Sequence, residues 1–255
     1  MITNAQITRR ASNEGLSART VERDYVLAHI VAAIAVSERT TELILKGGTA
    51  LRLCYFQDFR YSADLDFSVA EGTVQDGLNA VSESLPAVTG TVSRLALTGD
   101  DPPRIAYVGP LNRERTLKLD IADDEYVVNT EHRPLVSRWP DLPTEARVHV
   151  YTSLEIAAEK LRCVLQRLQC RDLFDLNMLF EEAGVEASEA AALFESKAKH
   201  RGFEPNIFAA RYRERVTQYE KRWETELREH LSGTVPHFER IERGVARHLR
   251  RARML

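Results

Sequence analysis

Cysteine is scarce: Cys54, Cys163 and Cys170 are the only three in 255 residues. An odd number without metal-ligand spacing excludes a disulfide framework and a zinc ribbon, and suits buried thiols in a reducing cytosol. Long apolar runs are lacking too. The longest, Ile30 to Val36, falls far short of the roughly 20 residues that span a bilayer. The opening MITNAQITRRASNEGLS is polar throughout, which argues against a signal peptide. An excess of positive charge is also missing. The formal net charge of −3 is not that of a strongly basic nucleic-acid binder. There is no internal repeat and no low-complexity segment. The seven histidines, His29, His132, His149, His200, His230, His237 and His248, show neither ligand nor triad spacing.

What remains is an ordinary globular composition, with 44% hydrophobic and 29% charged residues, in a chain long enough for one large domain or two modest ones. The charge is unevenly spread. From Arg201 onward there are 13 Lys and Arg against 8 Asp and Glu, so the tail carries +5 and the first 200 residues carry −8. Such asymmetry permits an acidic, cation-binding part and a basic part that meets an anion, or simply a solvated helix surface.

Periodicity predicts a helix over residues 18–37, with Val21, Tyr25, Ala28 and Ala32 on one face. Leu43 to Leu45 reads as a short strand running into the Gly47-Gly48 turn, with a helix from Thr49 through Tyr55. Leu65 to Val69 reads as a strand and Val74 to Leu85 as a helix. Val88 to Leu97, Arg104 to Val108, Arg115 to Ile121 and Val148 to Tyr151 read as further strands. After Thr152 strand signals vanish. Helical patterns cover Leu154–Leu168, Asp172–Glu182, Ala187–Lys199, Ile207–Leu231 and Phe238–Arg251. The expectation is an α+β chain: a mixed-sheet domain over 1–150, then a helical domain over 151–255 that completes a cleft.

The chemistry centres on Asp64-Leu65-Asp66-Phe67. On a strand, Asp64 and Asp66 share one face while Leu65 and Phe67 share the other. Two adjacent carboxylates repel, and a hard divalent cation relieves them. A pair of acids is also found on solvated strand faces. Upstream, Lys46-Gly47-Gly48-Thr49 sits at a strand-to-helix turn, where glycines allow close backbone approach to a phosphate and the Thr49 hydroxyl offers a donor. It is not a P-loop, because the Walker spacing is absent. On a later strand, Lys118 and Asp120 face away from Leu117, Leu119 and Ile121. Asp120 is a third carboxylate for a metal site, or a surface acid paired with Lys118. Arg52 and Arg60 flank the turn and either touch phosphate or pair elsewhere. Ser62 and Ser68 lie close by, unmarked as nucleophiles. On the next helix Glu155, Glu159 and Arg162 share a face, and Lys160 projects as a point charge suited to phosphates. Arg171 and Asp175 form an i, i+4 pair. Arg240, Arg243, Arg247 and Arg250 line one side of the last helix, beside Ile241, Val245 and Leu249. They form either a track for a phosphate backbone or a solvated basic face.

The order of a glycine turn, a DxD strand and a later strand Asp resembles the nucleotidyltransferase fold of DNA polymerase beta. Four ordered motifs are similar to those of AbiEii-type, MenT-like toxins. They are Lys46 to Arg52 with Arg60 to Phe67, Lys118 to Ile121, Glu155 to Arg162, and Arg171 to Leu176. The resemblance covers roughly residues 20 to 180. The resemblance implies transfer of a nucleoside monophosphate from an NTP, with Mg2+ or Mn2+ as cofactor. Asp64, Asp66 and Asp120 would hold the metal, Gly47, Gly48, Thr49 and Arg52 the nucleotide. Lys160 and Asp175 would serve binding and catalysis. It further implies the tRNA 3′ end as acceptor, a block of translation, and an antitoxin encoded nearby. A protein acceptor, phosphate transfer to a partner, or a non-catalytic nucleotide-binding module are the alternatives.

Overall fold

The structure, a computed structural model, describes residues 1–37, 43–143 and 145–255. The chain divides into two compact units. The first comprises Met1–Asp124, Thr130–Val150 and His230–Gly233; the second comprises Glu125–Asn129, Tyr151–Glu229 and Thr234–Leu255.

The first unit opens with α1 (Asn4–Glu14) and α2 (Ala18–Val36). Thr3 and Gln6 cap α1 reciprocally and Gly15 ends it in the left-handed conformation, which glycine adopts without a Cβ penalty. In α2, Val21, Tyr25, Ala28 and Ala32 are all fully buried, and nearly every residue from Thr20 to Ile34 joins them. A helix apolar around most of its girth belongs inside the fold, and α2 packs against α1 and α4 (Val74–Ser84).

The sheet is built from β1 (Leu43–Leu45), β2 (Asp64–Val69), β3 (Ser93–Leu97), β4 (Arg104–Val108), β5 (Glu114–Ala122), β6 (Thr130–Pro134) and β7 (Arg147–Tyr151). Their spatial order is β3-β4-β5-β2-β1-β7-β6. The sheet is mixed: β2 runs parallel to β5 and β1 parallel to β7, while β1 and β2, β3 and β4, and β4 and β5 are antiparallel. The acid-bearing strand β2 therefore lies in the middle, where a neighbour on each side fixes its register. Leu65, Phe67, Leu117 and Leu119 are buried to 1% exposure or less. Gly77 of α4 lies so close to Ile121 and Val69 that a Cβ there would meet them at 2.9 and 3.0 Å. One sheet face is thus sealed, and the polar residues between take the other.

In the second unit α5 (Ser153–Gln166) packs on α6 (Cys170–Glu181), α7 (Ala187–His200) and α8 (Phe208–Arg228), and α9 (Phe238–Arg251) closes on α6 and α7. Its core includes Leu161, Leu173, Leu176, Phe194, Tyr219, Val245 and Leu249. An α+β architecture is what the sequence led us to expect. Among the described residues no helix is long and apolar enough to cross a membrane.

Several elements depart from expectation. The helix after β1 starts at Gly47, not Thr49, as α3 (Gly47–Ala50), and runs on as a π-helical turn over Leu51–Tyr55. Only Ser93–Leu97 of the expected strand Val88–Leu97 is extended into the sheet, because Gly90 takes a positive φ of 80° that a strand does not accommodate. The edge strand β6, Thr-Glu-His-Arg-Pro, carries no apolar alternation, and gave no strand signal.

Candidate active site

Two glycines do different work at the mouth of the sheet. The Lys46 amide bonds the Asp66 carbonyl at 3.0 Å, so the turn starts in register with β2. Gly47 has φ of +70°, and a Cβ there would stand 2.9 Å from Asp66 Oδ2. The turn therefore lies directly against the carboxylate, which only a glycine permits. At Gly48 a Cβ would come within 2.5 Å of the Arg60 guanidinium. Arg60 is 2% exposed and also donates to the Tyr61 carbonyl at 3.3 Å, so a buried cation lies over the second glycine.

Thr49 is turned inward. It is fully buried, and its hydroxyl donates to the Asp64 carbonyl oxygen at 2.5 Å while lying 2.9 Å from the Ser62 hydroxyl. It ties α3 to the start of β2 and offers no spare donor to a phosphate. Arg52 takes the second of the two readings its sequence position allowed. Its guanidinium is buried against Asp24, 2.8 Å from Nε to Oδ1, donates to the Phe59 carbonyl, and stacks 4.1 Å over the Tyr61 ring. That network holds the loop behind the turn and commits Arg52 to the fold. Ser62 and Ser68 are buried.

The carboxylates sit as strand alternation demands. Asp64 pairs with Lys118 and Asp66 with Asp120 across the parallel β2–β5 ladder, so side chains of Asp66 and Asp120 leave one face from strands about 4.8 Å apart. Asp64 and Asp66 are half-buried; the Asp120 side chain is 54% exposed and lies 3.1 Å from Lys118 Nζ. The three acids thus share a face and a register. Among the described residues, however, no three His, Cys, Asp or Glu groups are drawn into one metal-binding cluster. The donors fit a divalent ion by their chemistry: they are carboxylate oxygens alone, with no His or Cys between them, the set a hard cation prefers.

Sequence reasoning missed the segment Glu22-Arg23-Asp24 of α2. Glu22, fully buried, accepts from Arg115 Nε at 3.0 Å and from the Leu111 amide at 2.7 Å. Asp24 receives Arg52 and, at 3.0 Å, the Trp139 indole N–H. Arg23 stands between them, and its Nε is buried with no hydrogen-bond partner. Three consecutive charges inside an otherwise apolar helix were the available signal.

In the second unit Lys160 is 4% exposed, with Nζ 2.8 Å from Asp172 Oδ1 and 2.6 Å from Asp175 Oδ2. It does not project outward as expected; it is the centre of a buried cluster. Asp172, which sequence reasoning passed over, also takes Arg167 Nε at 2.9 Å. Burial alone would raise the Asp172 carboxyl, but Lys160 and Arg167 outweigh it and hold it far below the usual carboxylate range. Glu155, Glu159 and Arg162 do share a face: Arg162 pairs with Glu159 at 2.6 Å. The two glutamates share the buried Lys197 of α7, 2.5 Å from Glu155 and 2.9 Å from Glu159. Arg171 Nε donates to Gln169 at 2.8 Å. On α9, Arg240, Arg243, Arg247 and Arg250 are exposed, and Arg247 pairs with Glu181, above buried Ile241, Val245 and Leu249. All three cysteines are free; burial pushes the Cys54 and Cys170 thiols up to about 12 and Cys163 up to about 11, which leaves them inert.

The chain is similar to known proteins in family and in fold. Residues 29–247 match the family model described as "Nucleotidyl transferase AbiEii toxin, Type IV TA system". Among solved structures, the chain is similar to MenT4, a nucleotidyltransferase toxin from Mycobacterium tuberculosis H37Rv. The TM-score is 0.64 at 20% identity, over 97% of this chain and 99% of that one. The search of curated proteins returned no match.

Proposed function

The chain belongs to the AbiEii family of nucleotidyl transferase toxins of type IV toxin–antitoxin systems, and from that premise we propose that it transfers a nucleoside monophosphate from an NTP to the 3′ end of tRNA and so blocks translation. A toxin of such a system implies a cognate antitoxin. The observation that carries the reading is the β2–β5 register, which pairs Asp66 with Asp120 on the face that Asp64 shares, beside a turn whose Gly47 abuts the Asp66 carboxylate.

In the reaction the acceptor hydroxyl oxygen forms a bond to the α-phosphorus, the bond from that phosphorus to the bridging oxygen of the β-phosphate breaks, and pyrophosphate leaves. Asp64 and Asp66, with Asp120, are the residues that would hold Mg2+ or Mn2+, which supplies charge neutralisation and activation of the attacking oxygen. Asp120, exposed enough to reach an acceptor, takes the hydroxyl proton. Gly47 lets the turn lie against the Asp66 carboxylate, where its backbone would meet the phosphates, and Gly48 gives its space to the Arg60 guanidinium. Lys118 sits on the same face and balances the acids before substrate arrives. Lys160 and Asp175 enter as parts of a buried charge cluster that orders α5 against α6, and a direct phosphate contact would require Lys160 to leave two carboxylates.

Incubation of the purified protein with tRNA, Mg2+ and each labelled NTP tests this. Label at the RNA 3′ end from wild type, and none from Asp66→Ala, is the expected result. Label on a protein band with the RNA unchanged would move the acceptor to a protein. Equal incorporation by the Asp66→Ala variant would remove the site.

A further inference from the structure

We propose that Arg23 is a nucleotide-binding residue of this same site, its guanidinium closing on an anionic oxygen of the triphosphate; the inference rests on the nucleotidyl-transfer reading and adds a residue to it.

The argument starts from an unmatched donor. Buried N–H groups are hydrogen-bonded in the great majority of cases, yet the Arg23 Nε is buried and has no partner among the described residues. Its sequence neighbours do not serve it. Glu22 is committed to Arg115 and the Leu111 amide, and a Cβ on Gly109 would stand 2.8 Å from its Oε1, so that carboxylate is packed in place. Asp24 is committed to Arg52 and Trp139. Adjacent helix residues also point to different sides. The two acids thereby clamp α2 and hold Arg23 at a set position.

What Arg23 does sit near is charge of both signs. Arg19, exposed and one turn earlier on the same helix face, repels it. Burial lowers the Arg23 guanidinium from its ordinary value, Arg19 adds to that, and Asp64 offers the strongest opposing pull. Asp64 is the first residue of the acid-bearing strand. Two arginines at i and i+4, one of them with a buried Nε–H that lacks an acceptor and on a helix tied through Asp24 to Arg52 beside the glycine turn, call for an anion with several oxygens. A triphosphate bound there supplies them. Guanidinium is the side chain whose planar fork suits a phosphate, and it keeps its proton when partly buried.

The test is calorimetric binding of the α,β-methylene analogues of ATP, GTP, CTP and UTP, with Mg2+, to wild type, R23M and R23K, alongside thermal unfolding. We expect R23M to bind the preferred analogue at least tenfold more weakly, R23K to fall between, and the R23M melting temperature to be unchanged or higher, because an unmatched buried N–H has been removed. Wild-type affinity in R23M would overturn the inference while leaving nucleotide transfer standing. So would weakened binding accompanied by a lowered melting temperature, the mark of a structural role. A wild type that binds none of the four analogues would overturn the reading of the site itself, and the inference with it.

Discussion

Gly47 carries two constraints at once, a positive φ and a carboxylate oxygen where a Cβ would point. Gly47→Ala should therefore cost about 1–2 kcal/mol from backbone strain, with a further penalty as Asp66 is pushed aside. For a chain of this size that is a fall in melting temperature of a few degrees, measurable by calorimetry, and transfer activity should drop at least tenfold. Asp66→Asn should behave oppositely in stability. It removes one of the like charges on the β2–β5 face, so unfolding should come at an equal or higher temperature, while transfer should fall by roughly a hundredfold or more, because a carboxylate proposed to hold the metal is lost. At this scale the sequence was partly legible. Period-two alternation put Asp64 and Asp66 on one face of their strand, because a strand leaves no other choice, while the pairing that sets Asp120 beside Asp66 is a matter of sheet register. Thr49 was not legible, since its hydroxyl is satisfied by Ser62 and the Asp64 carbonyl, groups that only the fold brings to it.

Among the elements, the pair α5 and α6 is joined by charge inside a core. Lys160→Met would take from Asp175 its lysine and leave Asp172 with Arg167 alone, a loss on the order of 3–5 kcal/mol. Denaturant unfolding should show it, and adding Asp172→Asn and Asp175→Asn should recover most of it. The same cluster sets a pH dependence. The Asp172 carboxyl is depressed on folding, so its contribution is fully present above the unfolded value of about 3.9 and is lost as pH falls below it. Wild type should lose stability progressively as pH falls below about 4, more steeply than Asp172→Asn does in urea titrations. Helical periodicity placed α5 and α6 well, because each has a long apolar stripe. It placed Lys160 wrongly, because a lysine with two buried carboxylate partners is indistinguishable in sequence from one that points to water. The strand β6 and the helix α1 lack apolar periodicity and are held by neighbours instead: β6 as a sheet edge, α1 by its cap and by packing on α2.

Over the whole molecule the two kinds of charge are segregated, with the acidic face on the sheet of the first unit and the arginine row on α9 of the second. If that row follows an RNA backbone, replacing Arg240, Arg243 and Arg250 by Ala should lower the slope of log affinity against log salt by roughly 2–3, with Arg247 left alone because Glu181 already occupies it. Filter-binding titrations with tRNA at several salt concentrations measure this. The most direct test of the central claim is which phosphate moves. Purified wild type and Asp66→Asn would be given tRNA, Mg2+ and the preferred NTP labelled either at the α- or at the γ-phosphorus. The acceptor should take up α-label alone, with one pyrophosphate released per nucleotide added, and Asp66→Asn should do neither. Transfer of γ-label, or α-label incorporation undiminished in Asp66→Asn, would contradict the assignment of this carboxylate face as a nucleotidyl-transfer centre.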